Sequence, residues 1–342
     1  QNKSSAVAVE LHLTFHLNVK FDQQPLFLVV QKGRAMTSKA HSKYTLQPIS
    51  RLAKRRVFAS GIDTSILFVL AIGLIFNSHL ERYHPYPWLA ADGLFGNTMF
   101  FFLSGFAIAH RSTESRFSSY AFRRLWRIYP AVIIALLLGL AISRFGAPAS
   151  ISELFNLFVW PTPFTFVKLI VPFYFLIWFV RFRGILTIYL SVAIILFILS
   201  IWNDFASGRF IGSFESSDIS SQSFAAFFWL STILGVLISK SGRRARFTSL
   251  RIVLAAFIVA SYFILKFSMI VTGDVAGSAA PLLLALALIG VIATIFAIGD
   301  PEVSQHVLGV SATGLVVGLI ANLTFEIYVI HEVILLLPGL SK

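Results

Sequence analysis

The sequence predicts an all-α fold, a polytopic transmembrane helical bundle of about nine to ten spans, and three observations predict it. Apolar residues make up 57% of the 342 residues and charged residues only 13%, whereas soluble domains hold about 45–50% and about 25%. The apolar residues fall in blocks of about 20, the length that crosses a bilayer as a helix; a membrane β-barrel would show short alternating segments instead. Lys and Arg gather in alternate loops, as they do around the spans of a helical membrane protein.

The blocks follow one another along most of the chain. Candidate spans are 62–80, 94–110, 128–145, 164–180, 184–201, 224–238, 252–271 and 279–299. The last block, "VLGVSATGLVVGLIANLTFEIYVIHEVILLL", is too long for one helix and short for two. It reads as a re-entrant or tilted lead-in followed by a span near 319–338. Residues 1–56 differ from the rest: they are polar, basic and weakly periodic, and are read as a cytoplasmic arm ahead of a membrane domain over 57–342. Alternation in "VELHLTFHLNVKF" would also suit a strand. Met36 offers a start site, and no apolar signal-peptide region stands near the beginning.

The formal net charge of +13 invites a nucleic-acid reading, and its placement argues against one. Basic residues stand before the first span (Lys43, Arg51, Lys54, Arg55, Arg56), between spans two and three, at Arg181 and Arg183, and from Lys240 to Arg251. The opposite loops carry Arg82, Arg144 and Arg209 among acidic residues such as Glu81, Asp92, Glu153 and Asp204. Lys/Arg excess marks the cytoplasmic side, so the amino terminus is expected inside and the charge is mostly topology. No nucleic-acid partner is expected. Cysteine is absent, which excludes disulfides and thiolate metal sites, and no metal cofactor is expected.

Ionisable residues inside spans are costly and are candidates for function. His79 closes the first span in "IGLIFNSHLERYH". Lys168, Lys266, Glu326, His331 and Glu332 lie in later spans. The two lysines can instead snorkel to the interface, and His79 can be an ordinary interfacial polar group. Glu326 and His331 stand about 140° apart around a helix of 3.6 residues per turn, so they do not share a face.

"SYAFRRLWRIYP" is more specific. Arg123 and Arg127 are one turn apart on a helix, with Arg124 beside them, and two guanidiniums so placed fork onto phosphate. The competing reading is a positive-inside anchor. In "MFFFLSGFAIAHRS" the pair Ser104-Gly105 makes either room for a ligand or a close helix–helix contact, since small residues collect at such contacts.

"NTMFFFLSGFAI" followed by "YAFRRLWRIYP" resembles the membrane acyltransferase family 3, whose members carry an "lFFvlSGfli" segment, a short basic loop and "RRlxRiyP". A His closes the first span in that family, as His79 does here, and "FEIYVIHEVIL" resembles its late "YxxYLxH" signature through Tyr328 and His331. The resemblance covers roughly residues 57–338. The chain departs from the pattern in "GIDTSILFVLAIG", which keeps Ile62-Asp63 and lacks the Arg that usually follows.

What the resemblance implies is a polytopic O-acyltransferase of glycans in the bacterial inner membrane. Its donor would be cytoplasmic acyl-CoA, acetyl-CoA in the first place, and its acceptor a hydroxyl of an extracytoplasmic glycan. Membrane lipid and a carbohydrate or lipid-linked glycan are the expected partners. His79 would take the hydroxyl proton or carry the acyl group covalently. Arg123, Arg124 and Arg127, with Ser104 and Gly105, would receive the donor; Tyr328, His331 and Glu326 are further candidates. Two other readings stand beside this one: a transporter or flippase of a glycan or lipid-linked substrate, and a catalytically inactive relative.

Overall fold

The computed structural model describes residues 62–80, 83–86, 90, 93–111, 116–142, 145–146, 148–159, 164–180, 183–207, 221–241, 248–272, 279–300 and 312–334. The arm over 1–56, its strand option and the domain boundary beside it lie outside the described residues. Within them every regular element is a helix, which agrees with the all-α expectation.

The helices are α1 (Ser65–Ser78), α2 (Gly93–Arg111), α3 (Phe117–Ala141), α4 (Ile151–Phe158), α5 (Thr165–Val180) and α6 (Arg183–Ala206). They continue with α7 (Ser221–Ser241), α8 (Ser249–Thr272), α9 (Ala279–Ile298), α10 (Ala312–Asn322) and α11 (Thr324–Ile334). Five of them, α3 and α6 to α9, are long and apolar enough to cross a membrane, and a bent pair, α10 with α11, raises the number to six. Three shorter apolar helices, α1, α2 and α5, fall below that length. The expected nine to ten spans are therefore not reached by length and composition among the described residues.

Three local features differ from the sequence expectation. α3 starts eleven residues earlier than the span predicted at 128, because "FSSYAFRRLWR" is helical and Pro130 sits inside the helix rather than starting it. α4 was not foreseen. Its start is capped in the manner of a capping box: Ser150 Oγ accepts from the Glu153 amide at 3.1 Å, and Glu153 Oε2 reaches one residue further back to accept from the Ala149 amide at 2.7 Å. Asp204, expected in a loop, lies in the last turn of α6, fully buried, and accepts a hydrogen bond from the Ser223 hydroxyl.

The last block is one path broken at Leu323, where α10 and α11 meet at 67°. The Thr324 hydroxyl donates to the carbonyls of Ile320 at 3.0 Å and Ala321 at 2.8 Å, and the Asn322 amide to Gly318 at 2.8 Å. Such back-bonding bends helices, and it satisfies carbonyls that lipid cannot.

α2 lies at the centre of the bundle and packs on α7, α1, α9 and α5. Its Phe100, Phe101 and Phe102 are 0–3% exposed, and Phe101 stacks on Phe228 of α7 with centroids 4.7 Å apart. The apolar window of α7 is 61% buried, whereas those of α6 and α8 are only 11% and 17% buried. α6 and α8 thus present their apolar sides outward, as helices facing lipid do.

Candidate functional site

Two small-residue contacts fix α2 in place. A Cβ on Gly105 would strike the Thr232 carbonyl of α7, and a Cβ on Gly235 of α7 would strike the Phe102 carbonyl of α2. The glycines therefore let the two backbones approach from both sides. Ser104 beside them is 6% exposed. A step along the same seam, the Ser231 hydroxyl donates to the Thr98 carbonyl at 2.9 Å. On its other side α2 meets α1 through Gly96, whose Cβ would lie 2.8 Å from an Ile75 side-chain carbon and 2.9 Å from the Ala71 carbonyl.

That contact sets the direction of α1, which ends at His79. The entry to α1 is buried and hydrogen-bonded: the Asp63 amide donates to the Gly299 carbonyl at 2.8 Å, and Asp63 Oδ1 accepts from the Ser65 amide at 2.9 Å. At the far end the Ser78 hydroxyl donates to Ile75 at 2.7 Å and the His79 amide to Phe76 at 3.1 Å. His84 Nε2 is hydrogen-bonded to Asn77 Oδ1 at 2.9 Å, folding the following turn back onto the helix.

α11 packs on both α1 and α3. It brings His331 to His79, with ring centroids 4.9 Å apart and planes at 56°. Phe76 stands 5.8 Å and Tyr328 5.3 Å from the same His331 ring. Tyr328 is itself held by Phe166 at 4.4 Å and Phe100 at 6.2 Å. The phenylalanine run of α2 thus reaches the histidine pair through one chain of rings.

The two histidines differ in setting. His79 is exposed, while His331 is 2% exposed. Both ring nitrogens of His331 are buried, and the backbone of Ile327 and Tyr328 in the same helix supplies its polar neighbours. Leaving a buried polar group unpaired costs about 1–3 kcal/mol, so such groups mark places with a use. Glu326 Oε2 is such a buried, unpaired atom, in the first turn of α11. Another is Asn97 Oδ1 on α2. Asn97 and Ser78, the residue before His79, both lie against the place a Gly93 Cβ would occupy. Sequence reasoning passed over Asn97; its signal is a single amide in the apolar run that leads to the Ser-Gly pair.

The arginines form a second group. Arg124 lies over the Tyr120 ring at 5.3 Å and the Tyr174 ring at 5.8 Å, and the Tyr120 hydroxyl donates to the Tyr174 carbonyl at 2.9 Å. Arg124 thereby joins α3 to α5. Arg123 and Arg127 are half-buried one turn apart, beside the exposed stacked pair Phe122 and Trp126, whose centroids are 5.7 Å apart. Lys168 is half-buried in α5, and Lys266 lies 5.9 Å from the Tyr262 ring. The side chain of Glu332 lies outside the described residues.

Helices of this length and apolarity define the class: an integral membrane protein built as an α-helical bundle. The particular family follows from the chain as a whole. Residues 49–338 match the acyltransferase domain of acyltransferase family 3, and the chain belongs to that family. No curated protein and no solved structure matches it.

Proposed function

We propose that this protein moves an acyl group, acetyl in the simplest case, from cytoplasmic acyl-CoA to a hydroxyl of an extracytoplasmic glycan. The observation that carries the reading is the histidine pair. An exposed imidazole at the end of α1 meets a buried imidazole of α11. The open His79 suits the task of taking a proton from an acceptor hydroxyl, since histidine's ordinary pKa is near 6.5. Arg123 and Arg127, half-buried and one turn apart, suit a ligand that carries phosphates. In bond terms the acceptor oxygen forms a bond to the acyl carbon, the thioester C–S bond breaks, and the hydroxyl proton passes to His79 while the thiolate leaves.

The loop charges support a cytoplasmic amino terminus, and a bacterial inner membrane is the compartment that fits the acyl-transfer reading. The five long helices, the broken pair and the three shorter apolar helices together support a nine-span path. With that topology His79 stands on the acceptor side and the arginines on the donor side.

A transporter or flippase is the second reading, and the break at Leu323 favours it, because interrupted spans line the binding sites of many transporters. One comparison decides. Envelope glycans from cells with the wild-type gene, without it, and with His79→Ala are weighed by mass spectrometry. Acyl mass that disappears in both altered strains supports transfer. Unacylated glycan that merely fails to reach the surface supports transport.

A further inference from the structure

α4 differs from the helices on either side of it. None of its side chains is buried. Ile151, Leu154 and Phe155, spaced i, i+3 and i+4, form one face and are 88%, 50% and 51% exposed. Ser152 and Asn156, with Glu153, form the other face and are exposed as well. Leu157 and Phe158, towards its end, pack on the core and fix the helix to the bundle. Water would strand the first face. Hydrocarbon would strand the second, since a carboxylate there is costly. A lipid–water boundary answers both, as it does for amphipathic helices that lie in its plane.

The level of that boundary follows from the two helices that α4 connects. The Phe117 ring, at the start of α3, lies 5.1 Å from the Trp178 ring and 6.0 Å from the Phe179 ring, near the end of α5. The Tyr120 hydroxyl donates to the Tyr174 carbonyl at 2.9 Å in the same register. α3 and α5 therefore share one level at this end. From it the 25 residues of α3 rise about 37 Å and the 16 residues of α5 about 24 Å, at 1.5 Å per residue. α5 thus stops about 13 Å short of α3, and below the roughly 30 Å of a bilayer's hydrocarbon. α4 goes with the shorter helix: the Tyr129 hydroxyl, halfway along α3, donates to the Val159 carbonyl at the end of α4 at 2.7 Å. Beyond Tyr129, α3 still turns Ile133, Ile134, Leu137 and Leu138 outward, 40–54% exposed. Those side chains call for lipid above the level at which α4 calls for water.

We propose that α4 lies in the membrane–water boundary, on a bilayer that is thinned beside α4 and α5. Acyl chains lie under Ile151, Leu154 and Phe155, and headgroups and water lie over Ser152, Glu153 and Asn156. A bilayer accommodates a span too short for it by thinning, at modest cost. On the face of α3 that carries Leu137 and Leu138 it keeps its height. The inference uses no step of acyl transfer, so it stands or falls apart from that reading.

The chain has no cysteine, so one introduced Cys carries the only probe. Leu154→Cys, Phe155→Cys, Asn156→Cys and Leu138→Cys are made in the full chain, and each takes an environment-sensitive fluorophore. The proteins sit in nanodiscs of phosphatidylcholine and phosphatidylglycerol, which leave both membrane faces open to water. A nitroxide on the lipid acyl chain quenches from the hydrocarbon, and iodide quenches from the water. All four native side chains are exposed, so each variant is expected to keep the wild-type thermal midpoint. Ile151→Cys stands in for an apolar variant of α4 whose midpoint falls. Probes at Leu154, Phe155 and Leu138 are expected to lose most of their fluorescence to nitroxide and little to iodide. The probe at Asn156 is expected to do the reverse. An Asn156 probe closed to iodide would put α4 inside the hydrocarbon. Leu154 and Phe155 probes that nitroxide does not reach would mean that protein, a second copy included, covers that face. A Leu138 probe open to iodide would put the boundary level with α4 on every side, with no thinning. Any one of these three results overturns the inference.

Discussion

Polar and small residues enter the bundle at several places, and two of them are built differently. Along the α2–α7 seam most polar groups are answered, and the Ser239 hydroxyl of α7 is left buried and unpaired. Gly105 and Gly235 receive the partner helix's carbonyls, Ser231 donates to Thr98, and the Thr232 hydroxyl donates to Phe228 at 2.8 Å. Glu326 in the first turn of α11 and Asn97 beside the end of α1 keep unpaired buried oxygens. The seam holds two helices together through close backbone contact, whereas at their junction α1 and α11 meet through the His79–His331 ring contact.

The comparison breaks most readily at His79. His79→Ala is expected to lower acyl transfer by roughly 10²–10⁴-fold, the usual worth of a general base. The protein should still insert and unfold at an unchanged midpoint, because His79 is exposed and its ring packs mainly on His331. Label incorporation into envelope glycan reads the rate. Unchanged turnover would remove the junction from the chemistry.

The arginines sharpen the comparison by asking whether a third region belongs to function or to packing. Replacing Arg123 and Arg127 together by Ala is expected to raise the KM for acetyl-CoA by roughly 10–100-fold, since hydrogen bonds to charged groups are worth about 1.5–3 kcal/mol. Arg124→Ala acts differently. That side chain spans the Tyr120 and Tyr174 rings, so its loss should lower the thermal midpoint. If the double variant changes only the orientation of the chain in the membrane, Arg123 and Arg127 are anchors and no donor site is there.

How much of this the sequence disclosed depends on the kind of contact. Helices were legible because a bilayer demands long apolar runs, and blocks such as 279–299 nearly coincide with α9. His79, His331 and Tyr328 were legible as types, since ionisable and polar residues in a span stand out. Their convergence was not. It accompanies the 67° break at Leu323, beside which the Thr324 hydroxyl bonds back to two carbonyls, and no hydropathy pattern carries that break. α4 escaped because eight residues make no span, although its Ser150–Glu153 capping box was written in the chain. Asn97 was not legible because a single amide in an apolar run has no spacing that marks it. The two readings of that pair, ligand space and helix contact, could only be weighed once Thr232 was seen against Gly105.

Gly105→Ala tests that weighing. The added methyl has no space before the Thr232 carbonyl, so α2 and α7 must separate, and overpacking of this kind costs about 1–3 kcal/mol. The expected result is a lower thermal midpoint with the rate per folded molecule preserved. A variant that keeps its midpoint but loses transfer would turn the comparison around, because the space at Gly105 would then serve the acyl donor rather than the neighbouring helix.

Ser231→Ala should have the smallest effect, and it tests the seam at its most ordinary point. The Ser231 hydroxyl is fully buried and donates to Thr98 across the two helices. Hydrogen bonds between membrane helices average about 0.6 kcal/mol, because the separated helices also find partners for their polar groups. Alanine removes the donor and leaves the Thr98 carbonyl within its own helix, where the backbone can answer it. The expected outcome is a small fall in the thermal midpoint and no change in rate or in KM. A large loss of rate here would mean that the seam transmits strain to the junction, which lies on the other side of α2, and that the two regions are not independent. Additive effects of Ser231→Ala and His331→Phe on the midpoint, measured in the double variant, would place the two substitutions in separate contact networks, as the absence of shared partners leads one to expect.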